Sequence, residues 1–224
     1  MIKVKNLYKT FKTKDLETHV LKGIDLEVKE GEFLGIMGKS GAGKSTLMYQ
    51  ISLLDHPTKG EIVLNGINTE EMNHEERTKM RLSTLGYVFQ DYALIPELSA
   101  LENVMIPLLM QGHSSDEAIS ISRKILESIG LAERINNKPS QLSGGEQQRV
   151  SIARAMAHNP KILFADEPTA NLDSVSGNSV IELFQEIHKK GQTIVMVTHE
   201  AEYAKYCDRI VYLEDGKIVR ESKP

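Results

Sequence analysis

The sequence predicts an α/β fold: a core built on a parallel sheet, an N-terminal antiparallel β subdomain and an inserted α-helical lobe. Three observations predict it. Short apolar runs of buried-strand type, Phe33–Met37, Lys161–Ala165 and Thr193–Val197, are separated by helical patterns, the arrangement of parallel sheets. Near the N-terminus the pattern is instead two-fold. Ile24, Leu26 and Val28 alternate ahead of a turn at Glu30-Gly31-Glu32, and Glu61–Leu64 runs into Asn65-Gly66, a strong hairpin signal. Between about Asp91 and Asn159 the strand pattern is lost and helical spacing takes over.

In chain order, Phe33–Met37 leads into a glycine-rich turn and then a helix with Leu47, Ile51 and Leu54 on its apolar face. Within the lobe, Ser114 and Glu117 stand at capping-box spacing, and Ala118, Ile121, Ile125 and Ile129 continue on one face up to Gly130. Ser143 and Glu146 repeat that spacing. Val150, Ala153 and Ala157 continue the helix, and Asn159-Pro160 ends it. Val180, Leu183, Phe184 and Ile187 define another helix that ends at Lys189-Lys190-Gly191. Finally Ile210–Leu213 and Lys217–Val219 flank Asp215-Gly216 as a hairpin. The reading is one domain over residues 1–224, with 1–90 and 160–224 as core and 91–159 as the lobe.

Bulk properties narrow the class. A length of 224 residues suits one domain, or one core with a smaller lobe. The formal net charge of -4 and pI near 6.0 do not advertise a nucleic-acid surface, and no nucleic-acid partner is expected. The longest apolar stretch, Val104–Met110, is interrupted by Pro107 and too short to cross a bilayer, and the start lacks a signal-peptide core. A single cysteine, Cys207, leaves no internal disulfide and reads as a buried small hydrophobe. These features fit a cytoplasmic protein.

The first chemical motif is Gly38-Lys39-Ser40-Gly41-Ala42-Gly43-Lys44-Ser45, with Thr46 directly after it, which matches the phosphate-loop pattern G-x-x-x-x-G-K-[ST] between a strand and a helix. Its glycines let successive backbone N–H groups converge on an anion. Lys44 supplies a point charge for terminal phosphates, the Ser45 hydroxyl is a Mg²⁺ ligand type, and Lys39 is an extra cation beside the nest. The second is Asp166-Glu167 at a strand end. Asp166 suits Mg²⁺, through water, and Glu167 suits the attacking water; the bland alternative is a helix N-cap acid pair before Pro168. His199 ends the strand 194–197, where it can reach a γ-phosphate. Gln90 comes after Tyr87-Val88-Phe89 and is placed to reach the metal. The third is Leu142–Arg149. Its helix start, with Ser143 and the bare backbone of Gly144 and Gly145, is a second phosphate receptor.

Together these segments resemble the ATP-binding subunit of ABC transporters along essentially the whole chain. The resemblance implies ATP and Mg²⁺ as cofactors and ATP hydrolysis as the activity. It implies Phe11 as the aromatic that stacks on adenine, 38–46 as the nucleotide loop, Gln90 as the Q-loop glutamine and 142–147 as the signature motif. Asp166 and Glu167 are then the Walker B acids, Asn171-Leu172-Asp173 the D-loop and His199 the switch histidine. Catalysis falls to Glu167, His199 and Lys44, and Mg²⁺ to Ser45, Gln90 and Asp166. The stretches 89–91, 94–98, 101–104 and 165–173 look like the lipoprotein-releasing (Lol-type), macrolide-exporting (Mac-type) and cell-division branch. Two departures are Lys39, where that group has a small residue or proline, and Ala170, where glycine is common. The family implies a head-to-tail homodimer that sandwiches ATP, in which Ser143, Gly144, Gly145 and Asp173 act on nucleotide held by the partner. It also implies an integral membrane permease contacted by the helical lobe, hence a cytoplasmic, peripheral location on the inner face of the membrane. Residues 92–104 then offer a groove for the permease, although Leu94, Ile95, Leu98 and Leu101 read equally well as core. A non-transport role in a cell-division or cell-wall complex uses the same motor residues. A coiled-coil DNA-repair ATPase would split the phosphate motifs far more widely, and a small-metabolite kinase would not need 142–147.

Overall fold

The computed structural model describes residues 1–13 and 16–223. The chain forms two compact units, Met1–Arg81 with Gly191–Pro224, and Leu82–Lys190.

In the first unit, β1 (Ile2–Lys12), β2 (Glu17–Val28), β4 (Lys59–Leu64) and β5 (Ile67–Asn68) form an antiparallel sheet in the order β2-β1-β4-β5. The β4–β5 turn is Asn65-Gly66, both at positive φ, as a tight primed turn requires. A second sheet holds β3 (Phe33–Met37) between β8 (Thr193–Val197) and β9 (Arg209–Glu214), parallel to both, with β10 (Lys217–Ser222) antiparallel on the edge. β3 and β8 are buried at every residue, which is why their sequences are unbroken apolar runs instead of alternating ones. α1 (Lys44–Ile51) buries Leu47 and Ile51, but it ends before Leu54, which is exposed; the expected apolar face is one residue shorter. α2 (His74–Thr84) comes after β5. It is not visible as periodicity, since it buries only Arg77 and Met80. Its signal is local: the Asn73 and Glu76 side chains each accept the other's backbone N–H. A short α7 (Ala201–Ala204) lies just beyond β8.

The second unit pairs β6 (Leu85–Val88) in parallel with β7 (Ile162–Asp166). Its helices are α3 (Ala100–Met110), α4 (Ser115–Ser128), α5 (Gly144–Met156) and α6 (Ser174–Lys189), with short 3₁₀ turns at Ala132–Arg134 and Pro139–Gln141. α3, α4 and α5 share a core that includes Val104, Leu108, Ala118, Leu126, Val150 and Ala153. On α4 the fully buried seam is Ala118, Ser122 and Leu126. The predicted Ile121, Ile125 and Ile129 flank it, half-buried, so the apolar face is rotated by about one residue from the expectation. The fully buried Asn103 organises the loop before α3: it accepts from the N–H of Ile95 and donates to the carbonyls of Ile95, Leu98 and Ser99. Leu94 and Leu101 pack against the lobe core, while Ile95 stays exposed. Cys207 is buried, as expected. No helix among the described residues is long and apolar enough to cross a membrane.

Candidate functional site: two phosphate receptors and an acid pair

The first unit carries the glycine-rich loop between β3 and α1. β3 delivers the chain into residues 38–43, and α1 begins at Lys44 with Gly43 at its N-cap, φ 100°, in a conformation costly for any residue with a Cβ. No side chain caps this helix and no acid stands in its first turn, an arrangement that suits an anion at its N-terminus. At Gly38 a Cβ would lie 2.2 Å from the Leu213 carbonyl oxygen, a backbone atom that cannot yield. Lys44 is only 6% exposed, and its ammonium donates to the carbonyl of Lys39 at 3.2 Å, folded along the loop it serves. Lys39 itself is exposed. It lines a cavity of about 480 Å³ with Ser40 and Gly41, facing Tyr212 and Arg220 of the β9–β10 hairpin. Strand register places His199 on the same side: β8 lies beside β3 in parallel, and Thr198 N–H reaches the Ile36 carbonyl. Phe11, near the end of β1, is 47% exposed, with the Lys9 ammonium 4.9 Å from its ring centre. An exposed aromatic is available for stacking, and the cation polarises its face.

The second unit carries the acid pair Asp166-Glu167 and the helix start at Ser143. β6 and β7 end side by side, which brings the Gln90 segment next to Asp166. Asp166 is only 5% exposed and accepts a hydrogen bond from the Tyr87 hydroxyl at 3.4 Å. Glu167 sits at φ 45°, a left-handed conformation that a residue with a side chain adopts only where its surroundings impose it. Two turns come directly after it, closed by Ala170 N–H to the Glu167 carbonyl and Leu172 N–H to the Thr169 carbonyl. The next helix, α6, is capped by Asp173, so the acid pair is not a helix cap. Asp173 uses both carboxylate oxygens on that cap, accepting from the N–H of Val175 and Ser176 and from the Ser176 hydroxyl. Residues 171–173 are tied to the segment after β6, since Asn171 Nδ2 donates to the Gln90 carbonyl at 3.0 Å.

α5 opens with Ser143 at its N-cap and the reciprocal Ser143–Glu146 box predicted from spacing. Its two glycines also have an internal reason. A Cβ on Gly144 would come 3.0 Å from the Tyr92 hydroxyl, and one on Gly145 within 3.1 Å of Ser176. Sequence reasoning missed two arginines here. Arg134 binds Glu146, and Arg154 donates to the carbonyls of Tyr92 and Ala93. Neither carries a local signal, because each acts on residues twelve or more positions away in sequence.

Mg²⁺ fits the donor types present. Among the described residues no three His, Cys, Asp or Glu side chains form a cage, and Mg²⁺ does not need one: it takes one or two carboxylates, a hydroxyl, water and substrate phosphates.

Comparisons with known proteins agree on one family. A family model described as ABC transporter matches residues 21–170. The chain is 50% identical over 202 residues to the lipoprotein-releasing system ATP-binding protein LolD of Aquifex aeolicus, covering 90% of each chain. It is 43% identical over 222 residues to the macrolide export ATP-binding/permease protein MacB of Brucella melitensis, covering 99% of this chain but only 34% of that longer protein. A dimeric post-hydrolysis structure of the ATP-binding cassette MJ0796 of Methanocaldococcus jannaschii, bound to ADP and Pi, matches with TM-score 0.93 at 44% identity, over 100% of this chain and 98% of that one. More than half of the chain falls under the family model and all of it has the cassette fold, so this protein belongs to the ABC transporter family, as an ATP-binding subunit that hydrolyses ATP.

Proposed function

We propose that the protein works as a homodimer that closes on ATP, with the 38–46 loop of one copy and the Ser143 helix start of the other on the same γ-phosphate. The observation that carries this is the pair of anion receptors in one chain, one uncapped at α1 and one carrying Ser143 and two glycines at α5. The cassette fold is dimeric in the MJ0796 structure that it matches. Asp173, already capping α6, fixes the D-loop toward the partner's nucleotide. Phe11 stacks on adenine, and the N–H groups of 38–46 and Lys44 hold the phosphates. Ser45 and Gln90 hold Mg²⁺, with Asp166 acting through water; when bound, the ion neutralises charge that develops on the phosphates. Glu167 aligns the attacking water, and Lys44 and His199 stabilise the transferred phosphoryl group. Hydrolysis removes the shared phosphate and loosens the dimer, a ligand-driven population shift.

The whole chain acts as a single ATPase domain whose helical lobe, 91–159, contacts an integral membrane permease and keeps the protein peripheral on the cytoplasmic face. The names of its relatives favour lipoprotein release or macrolide-type export as the driven process. The same switch serves a cell-division or cell-wall complex if the permease is of that kind, and copurification of the membrane partner separates the two. The dimer mechanism is tested with Glu167→Gln. This variant is expected to bind ATP, lose turnover by at least about a hundredfold and run as an ATP-dependent dimer in size-exclusion chromatography with light scattering. A monomer that hydrolyses at the normal rate refutes it.

A further inference from the structure

Three helices of the second unit begin with the same Ser-x-x-Glu box, and one is wired differently. At α3 the Ser99 N–H and hydroxyl both donate to Glu102 Oε2, each at 2.7 Å. At α4 the Ser114 N–H and hydroxyl both donate to Glu117 Oε2, each at 2.9 Å. In these two boxes the serine proton is spent on the carboxylate. At α5 the Ser143 N–H donates to Glu146 Oε2 at 2.8 Å and the Glu146 N–H donates to Ser143 Oγ at 3.3 Å. The Ser143 hydroxyl also bonds to this carboxylate, but it contributes less than Arg134 to holding the carboxylate charged. The other carboxylate oxygen, Oε1, is instead taken by Arg134 Nε at 2.9 Å. Neither Glu102 nor Glu117 is bonded to an arginine among the described residues. Glu146 is held below the usual carboxylate range by the Ser143 N–H and then by Arg134, with the Ser143 hydroxyl contributing less, so it is charged at neutral pH.

We propose that Arg134 is a positioning residue for the signature serine: by pairing with Glu146 Oε1 it competes with the Ser143 hydroxyl for the carboxylate and offsets the carboxylate charge beside the anion that Ser143 meets. The proposal rests on the reading that Ser143 meets the partner's γ-phosphate. A Glu in the first turn stabilises the helix but repels a bound phosphate, whereas a charge-neutral pair keeps the cap without the repulsion.

The test uses the full chain in the Glu167→Gln background and reads the ATP concentration needed for half-dimerisation by light scattering. Arg134→Gln is expected to raise that concentration about tenfold, the scale of one unscreened charge at a few ångströms in a partly aqueous site. ATP binding to the monomer is expected to stay unchanged. Adding Glu146→Gln keeps the cap acceptor and removes the charge, so the Arg134→Gln/Glu146→Gln double variant is expected to return to within about twofold of the parent. A purely structural role of Arg134 predicts no such recovery. Dimerisation of Arg134→Gln equal to the parent, or a double variant as weak as the single, overturns the proposal alone. Failure of Glu167→Gln itself to dimerise with ATP overturns the in-trans reading beneath it as well.

Discussion

Replacing Arg154 with alanine should destabilise the protein by about 2–4 kcal/mol, a figure set by the loop this side chain holds. Tyr92 and Ala93, just after Gln90, are successive non-glycine residues at φ 64° and 48°. Each such residue costs of order 1–3 kcal/mol and persists only when its surroundings fix it. The fixing group is the Arg154 guanidinium, which donates Nη1 to Ala93 O at 2.6 Å and Nη2 to Tyr92 O at 2.9 Å. Burial depresses the arginine's pKa, so the charge has given up water to make these bonds. Two hydrogen bonds from a charged donor contribute about 1.5–3 kcal/mol each. Ala93 is exposed and its carbonyl recovers water in the variant, so the sum is discounted to about 2–4 kcal/mol. For a chain of this length that is a fall in Tm of about 5–15 °C. Lysine offers one point charge in place of the fork and should retain roughly half. Urea and thermal unfolding of Arg154→Ala and Arg154→Lys measure this, with ATPase activity read alongside because the loop starts at Gln90. A loss below about 0.5 kcal/mol for the alanine variant refutes the claim that Arg154 holds the loop.

Three further outcomes are expected. Gly38→Ala forces a Cβ against the Leu213 carbonyl, so nucleotide affinity in a fluorescent-ATP titration should fall by at least about tenfold; unchanged affinity would show that the loop does not need that close approach. Burial, then the neighbouring Asp208, pushes the Cys207 thiol up to about 12, so iodoacetamide at pH 8 should label only urea-unfolded protein, and native labelling at the rate of a free thiol contradicts this. Glu102, Glu117 and Glu146 all have depressed folded pKa values, chiefly from the cap serine's N–H. Their stabilisation is therefore complete above the unfolded value of about 4.3 and is lost as pH falls through their folded values. A triple glutamine variant should show a shallower loss of urea midpoint between pH 5 and 3, and an identical acid limb in both proteins speaks against it.

The strands and the starts of α1 and α5 were legible because both are local. Phe33–Met37 and Thr193–Val197 are buried throughout, and a Ser-x-x-Glu spacing is a geometric statement about one turn of helix. What escaped was set by partners distant in sequence. The α4 seam turned because Ser122, a small polar residue, fits fully buried between helices where a branched isoleucine was expected to lead. Leu54 fell outside α1 because Leu53 adopts φ 62° and ends the turn. The loop before α3 depends on Asn103, whose four backbone hydrogen bonds no periodicity encodes.

The left-handed residues make the same point from the other side. Asn and Asp adopt positive φ at little cost, and Asn6, Asn65, Asn159 and Asp215 do so here. Leu53, Tyr92, Ala93 and Glu167 have no such licence. Two arginines supply it for three of them: Arg81 donates to the Leu53 carbonyl at 2.9 Å, and Arg154 to those of Tyr92 and Ala93. Glu167 carries its strain at the position assigned to the attacking water, and Tyr92 and Ala93 carry theirs next to the glutamine assigned to the metal. Local rules are broken here where a backbone must hold a pose that its own sequence does not favour, and at Leu53, Tyr92 and Ala93 an arginine from a neighbouring helix is what keeps it there. A chain that gains only its phosphate loop and acids has the ligands for ATP. Arg154 holds the Tyr92-Ala93 turn just after Gln90, and Arg134 ties down Glu146 at the start of α5 beside Ser143.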